Sequence, residues 1–236
     1  MKKFFVMIFV SWMAVSFYSS SSVIFGQTIT GLTGLYTIPT GETLESGKLI
    51  LGANYLSDGN DKGYSRNLEA VSYYLTFGYL PFLEVGLRFT NRTNASDALG
   101  DRMFSARLKF LNESEYLPSV VFGAHDIFRS SDSKTNYYNA TYFALTKNFP
   151  LDSFIDNIKL NAGYGFDLFT ARSYQFDGPF GGVSVSLFEV SELLLEYDSD
   201  YFNAGVRFAL FNHIYFIGGL QDMKVFNGGL AFSLQL

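Results

Sequence analysis

Residues 158–168 read Ile-Lys-Leu-Asn-Ala-Gly-Tyr-Gly-Phe-Asp-Leu. Ile158, Leu160, Ala162, Tyr164, Phe166 and Leu168 alternate without a break with Lys159, Asn161, Gly163, Gly165 and Asp167. Successive side chains leave opposite faces of a strand, so this period of two describes a two-faced strand and not a helix. A length of about ten residues is that of a tilted strand crossing a bilayer.

The pattern spreads outward from there. Leu83, Val85, Leu87 and Phe89 oppose Glu84, Gly86, Arg88 and Thr90, and Phe104, Ala106, Leu108 and Phe110 oppose Met103, Ser105, Arg107 and Lys109. Residues 192–198 and 201–207, joined by Ser199 and Asp200, form the sharpest local test. A two-residue turn sets Asp198 opposite Tyr201, Glu196 opposite Asn203, Leu195 opposite Ala204, Leu193 opposite Val206 and Glu192 opposite Arg207, which keeps both faces consistent. The chain's last strand alternates Phe226, Leu230, Phe232, Leu234 and Leu236 with Asn227, Gly229, Ala231, Ser233 and Gln235.

Strands are expected near 47–56, 68–79, 82–91, 101–111, 118–128, 137–149, 157–169, 179–188, 192–198, 201–208, 213–220 and 224–236. Short connections tend to alternate with longer polar ones, and no helical pattern of useful length intervenes, which argues against parallel sheets with crossover helices. A soluble sandwich or lipocalin-like barrel would show the same alternation with its apolar face turned inward. The long two-faced strands, an export signal and aromatics near strand ends (Phe77, Tyr79, Phe82, Phe149, Phe188, Tyr197, Tyr201, Phe211) favour an apolar outer band around a polar interior. The expected fold is all-β, a single antiparallel transmembrane β-barrel of about twelve strands, within a range of roughly ten to fourteen.

Lys2 and Lys3 precede an apolar run from Phe4 to about Phe17, which reads as a secretory signal peptide over residues 1–26. Removing it takes two cations and no acid from a chain of 17 Lys+Arg and 22 Asp+Glu, changing the formal charge from −5 to −7. Residues 27–46 form a turn-prone, extended segment that either enters the barrel as a plug or lies on the periplasmic rim. Residues 47–236 are the barrel, and its expected location is the bacterial cell outer membrane.

With the apolar face toward lipid, Glu84, Arg88, Arg107, Lys109, Lys159, Asp167, Glu192, Glu196 and Arg207 are the lumen-lining candidates. Either they set the electrostatics of a passage, or they pair into a network that fills the barrel. No cofactor or metal is expected: there is no Cys, and the two His, His125 and His213, are far apart in sequence. Asp198-Ser199-Asp200 reads as a hairpin turn and not as a divalent-ion site. Enzymatic chemistry is not expected, since no nucleophile-elbow, P-loop or zincin pattern occurs, and adjacent His125 and Asp126 should point to opposite faces. The acidic charge without a basic block argues against nucleic acid.

A series of short elements carries a family resemblance. Residues 31–40 read GLTGLYTIPT, followed by Gly47-Lys48-Leu49, YLPFLEVGLRFT at 79–90, Asp101-Arg102-Met103-Phe104 and Arg107-Leu108-Lys109. Leu117-Pro118, Gly123-Ala124-His125-Asp126, Ala144-Leu145-Thr146-Lys147, Gly181-Gly182-Val183 and LEYDSDYFNAGVRF at 195–208 complete it. In this order the sequence resembles the YjbH family of bacterial outer-membrane proteins. The resemblance implies an association with exopolysaccharide and capsule production or export. Implied partners are outer-membrane lipid, the barrel assembly machinery, polysaccharide and other export proteins. A small-solute channel and a structural, non-transporting barrel are the alternatives.

Overall fold

The computed structural model describes residues 26–57, 69–93, 100–126, 139–151, 153–168, 175–211 and 213–236. The expected signal peptide, Gly26 apart, lies outside the described residues. Twelve strands follow in chain order: β1 (Lys48–Leu56), β2 (Ala70–Leu80), β3 (Leu83–Arg92), β4 (Asp101–Leu111), β5 (Ser119–His125), β6 (Ala140–Pro150), β7 (Ile155–Phe166), β8 (Gly178–Leu187), β9 (Ser191–Tyr197), β10 (Phe202–Leu210), β11 (Ile214–Gln221) and β12 (Val225–Gln235). Neighbours in sequence pair antiparallel, and β1 closes onto β12 with Lys48 opposite Gln235 and Leu56 opposite Asn227. The result is a closed antiparallel barrel, in which no strand edge is left unpaired.

Each expected strand is present within a few residues. The β9–β10 register is the one read from the sequence, with Glu196 opposite Asn203, Leu195 opposite Ala204 and Glu192 opposite Arg207. Asp198 makes the turn, its Oδ1 accepting the N–H groups of Asp200 (3.2 Å) and Tyr201 (2.9 Å). β5 stops at His125, earlier than expected, because Asp126 takes a left-handed φ of 51°. The strict alternation ends there, and His125 and Asp126 are both buried.

The turns joining β2 to β3, β4 to β5, β6 to β7, β8 to β9 and β10 to β11 lie at one end of the barrel, together with the start of β1. The opposite end carries the longer connections between β1 and β2, β3 and β4, β5 and β6, and β7 and β8, and with them the tight turns between β9 and β10 and between β11 and β12.

The usual arrangement of apolar core and polar surface is inverted along the strands. Outward residues such as Leu87, Leu193, Leu195, Phe208, Phe216 and Leu230 are exposed, while inward Glu84, Ser105, Arg107, Lys159, Glu192, Asn203 and Asn227 are buried. Exposed aromatics, Tyr79, Phe82, Tyr116, Phe149, Phe154, Phe188 and Phe211, mark the end with the short turns. Among the described residues two buried apolar clusters involve the N-terminal segment: in the larger, Ile29, Leu35, Tyr36 and Ile38 pack with Tyr142, Phe176, Phe180 and Ile217, and in the smaller, Leu44 packs with Ile50, Tyr74, Ala209, Tyr215 and Ala231.

Candidate functional site

Residues 26–44 run inside the barrel, folded back on themselves. Ile29 N–H donates to the Tyr36 carbonyl at 2.9 Å, Leu35 N–H to the Ile38 carbonyl at 2.9 Å, and Gly34 N–H to the Gly26 carbonyl at 2.8 Å. Such a compact loop leaves many peptide groups outside any ladder, and a buried peptide group without a partner is costly. The inward side chains of the wall supply those partners, and they do so by chemical type.

Carboxylates take the N–H groups. Glu84 on β3 accepts from Thr33 N–H (3.0 Å), the Thr33 hydroxyl (2.7 Å) and Leu44 N–H (2.7 Å). Glu196 on β9 accepts from the N–H groups of Tyr36 (2.9 Å), Thr37 (2.8 Å) and Ile38 (3.3 Å), from the Thr37 hydroxyl, and from Asn203 at 3.1 Å. Guanidiniums take the carbonyls. Arg107 donates to the carbonyls of Thr33 and Thr40 and pairs with Glu84 at 3.2 Å. Arg207 donates to the carbonyls of Gln27 (3.2 Å), Gly34 (3.0 Å) and Leu35 (2.6 Å), and its other nitrogen pairs with Glu192.

Neutral residues finish the work. Asn54 donates to the Ile29 carbonyl at 2.7 Å, Thr146 Oγ1 accepts from Gly41 N–H at 2.7 Å, and the Tyr36 hydroxyl donates to the Asn227 carbonyl at 3.2 Å. Breaking a buried ion pair by removing one partner typically costs about 3–5 kcal/mol, so a segment threaded between two such pairs is firmly held.

The wall also carries sockets for the segment's side chains. A Cβ added at Gly205 or Gly219 would come within 2.9 Å of the Tyr36 ring, one at Gly182 within 2.7 Å of Leu35, and one at Gly86 within 2.6 Å of Leu32. Real Cβ atoms do not approach that closely, so these glycines are the room into which the segment packs. Between the segment and the wall, a cavity bounded by Thr28, Thr33, Thr37 and His125 is about 10 Å³. That is about the room one water needs.

At the short-turn end the segment leaves through a polar mouth. Lys159 Nζ lies 2.6 Å from Glu42 Oε2, and Asn148 Nδ2 donates to Glu42 at 3.1 Å and to Glu113 at 2.6 Å. Lys147 pairs with Glu113 at 3.0 Å. Burial pushes the Glu42 carboxyl up, but the Lys159 ammonium and the hydrogen bonds from Lys159 and Asn148 outweigh it and hold the group below its ordinary value. Glu113 is likewise lowered, burial being outweighed by the Asn148 side-chain and backbone hydrogen bonds and by Lys147.

Of the lumen-lining candidates, Glu84, Arg107, Lys159, Glu192, Glu196 and Arg207 are buried and bonded as described. Arg88 is buried too, its Nε donating to Thr90 at 3.0 Å. Lys109 is half-exposed and borders an open hollow of about 370 Å³ with Glu42, Glu113 and Ser119. Asp167 does not join them: β7 ends at Phe166, and Asp167 is exposed in the connection beyond it. His125 is occupied by Ser105 Oγ at 3.3 Å and by the Tyr142 hydroxyl at 2.7 Å.

The sequence model of the YjbH family, described as exopolysaccharide biosynthesis protein YbjH, matches residues 27–179. The chain belongs to the YjbH family. The matched span opens with the segment inside the lumen, runs to the start of β8 and so covers the positions of Glu84, Arg107 and Lys159. No curated protein matches the chain. Among solved structures, one titled "KdgM porin" is 8% identical over 79% of this chain and 99% of its own length, with a TM-score of 0.47.

Proposed function

We propose that this YjbH-family protein is an outer-membrane barrel of the exopolysaccharide production or export apparatus, closed at rest by its own N-terminal segment. The outward face supports the membrane placement. A wet Leu or Phe side chain forgoes about 1.5–3 kcal/mol relative to burial, and a barrel-wide belt of them, edged with aromatics at the short-turn end, suits hydrocarbon and not water. Short turns then face the periplasm and long connections the cell exterior.

One observation carries the resting state. The inward charges are spent on the backbone of residues 27–44, through Glu84, Arg107, Glu196 and Arg207, and do not line an open passage. A small-solute channel needs a water-filled lumen, which this packing fills. Passage of a single extended glycan requires the segment to leave, and a partner at the periplasmic mouth is the natural agent. We assign the barrel no catalysis of its own.

Two measurements together test this reading. Purified protein in planar bilayers should be electrically silent, and a strain lacking the protein should lose secreted polysaccharide while small-solute uptake stays normal. Steady conductance from the unmodified protein, or unaltered secretion in the deletion strain, would overturn it.

A further inference from the structure

On the outside of the barrel, at the end carrying the long connections, the register aligns two rows across β2, β3 and β4. Tyr73 lies opposite Phe89 and Phe89 opposite Arg102; one step lower, Leu75 lies opposite Leu87 and Leu87 opposite Phe104. These residues border a groove of about 600 Å³. Its surface belongs to the outward side chains, because the other residues that border it, Tyr74, Arg88, Met103 and the carboxylate Asp126, are buried.

Arg102 is the anomaly. It is exposed, it is the second residue of β4, and among the described residues it is the only Lys or Arg on the outward face of a strand in this half of the barrel. No carboxylate among the described residues pairs with it. A cation facing lipid is penalised least near the interface, which is the depth its place at the strand end gives it. A guanidinium presents a planar fork that matches a phosphate. Below it, Leu75, Leu87 and Phe104 offer an apolar surface continuous with the groove.

We propose that this groove binds a phosphorylated glycolipid of the outer leaflet, lipid A, with Arg102 holding a phosphate and an acyl chain lying along Leu75, Leu87 and Phe104. The assignment rests on the outer-membrane reading above, and the leaflet follows from the long connections facing outward. Phosphate on an inner-leaflet phospholipid offers the same head-group chemistry at the wrong end of the barrel.

Native mass spectrometry of the full-length mature protein in detergent tests it, with diphosphoryl lipid A, dephosphorylated lipid A and phosphatidylglycerol as probes. The wild type should retain diphosphoryl lipid A in preference to both others. Arg102→Glu and Arg102→Gln should cut its occupancy about tenfold, the loss of one charge-assisted hydrogen bond, and Arg102→Lys should keep most of it. The comparison of the three lipids on the wild type needs no variant to fold. Equal retention of phosphatidylglycerol or dephosphorylated lipid A, or full retention by Arg102→Glu, would overturn the glycolipid site while leaving the barrel's placement intact. A protein that fails to insert into vesicles and stays soluble without detergent would overturn both.

Discussion

Thr33 and Glu84 lie 51 residues apart in sequence, yet both the N–H and the hydroxyl of Thr33 donate to the Glu84 carboxylate, at 3.0 and 2.7 Å. An inward carboxylate on the barrel wall therefore reads the backbone of a segment that precedes the first strand. The same relation recurs at Glu196 with Tyr36, Thr37 and Ile38. The consequences can be measured.

Glu196→Ala removes the acceptor for those N–H groups and leaves them buried. The expected loss is about 3–5 kcal/mol of unfolding free energy, against about 1–2 kcal/mol for Glu196→Gln, which keeps one acceptor oxygen. Denaturant unfolding in detergent micelles measures both, and a loss under about 0.5 kcal/mol for the alanine variant, the size of an ordinary surface change, would mean that Glu196 does not hold the segment.

The sockets allow a double-mutant cycle. Gly205→Ala should cost about 1–3 kcal/mol, because the new methyl meets the Tyr36 ring, and much of that should vanish in a Tyr36→Ala background. Gly218, whose added Cβ would sit at an ordinary 3.5 Å from Phe226, is the control and should tolerate alanine. Additive effects of Gly205→Ala and Tyr36→Ala would place Tyr36 elsewhere.

Acid should loosen the mouth. Glu42 and Glu113 both titrate below their ordinary values in the folded protein, so their contribution is complete above the unfolded carboxyl value of about 4.3 and is lost as pH falls through the lower folded value. Amide protection factors over Glu42–Glu45 should fall as pH is lowered from neutral through the unfolded value of about 4.3 and below it, toward the lower folded values. In Glu42→Gln they should start low and change less.

The β11–β12 turn holds Asp222 and Met223 at φ 52°, where Lys224 N–H donates to the Gln221 carbonyl at 3.0 Å. Glycine adopts that geometry freely, so Met223→Gly should stabilise the barrel by about 1 kcal/mol in thermal or denaturant unfolding. Destabilisation would show that the Met223 side chain contributes more than its backbone strain costs.

The strands were legible because a wall with one greasy and one wet face imposes a period of two on every crossing. The pairing of Glu192 with Arg207 was legible because a two-residue turn at Ser199-Asp200 fixes the register arithmetically. The filling of the lumen was not. Gln27 to Gly41 is uncharged, and its partners come from strands that lie far along the chain. Gly205 is a socket because Tyr36 arrives against it, whereas Gly219 is also crowded by the backbone of Ala204 and Gly205, and a lone glycine in a strand is equally consistent with a bend or a polar lumen. Asp167 was misplaced because the alternation continues through Phe166-Asp167-Leu168 after the pairing has stopped. The turn at Asp222-Met223 carries none of the glycine or asparagine that usually marks such a site.

The residence of the segment in the lumen can be tested by proximity. The chain has no cysteine, so Thr37→Cys with Asn203→Cys introduces a unique thiol pair at positions whose native side chains are 3.1 Å apart. In outer-membrane vesicles a short thiol crosslinker should join the pair in most molecules, and Thr37→Cys alone should resist a bulky, membrane-impermeant maleimide. Absence of the crosslink together with ready labelling of Thr37→Cys would put the segment outside the barrel and contradict a lumen closed by its own N-terminal residues.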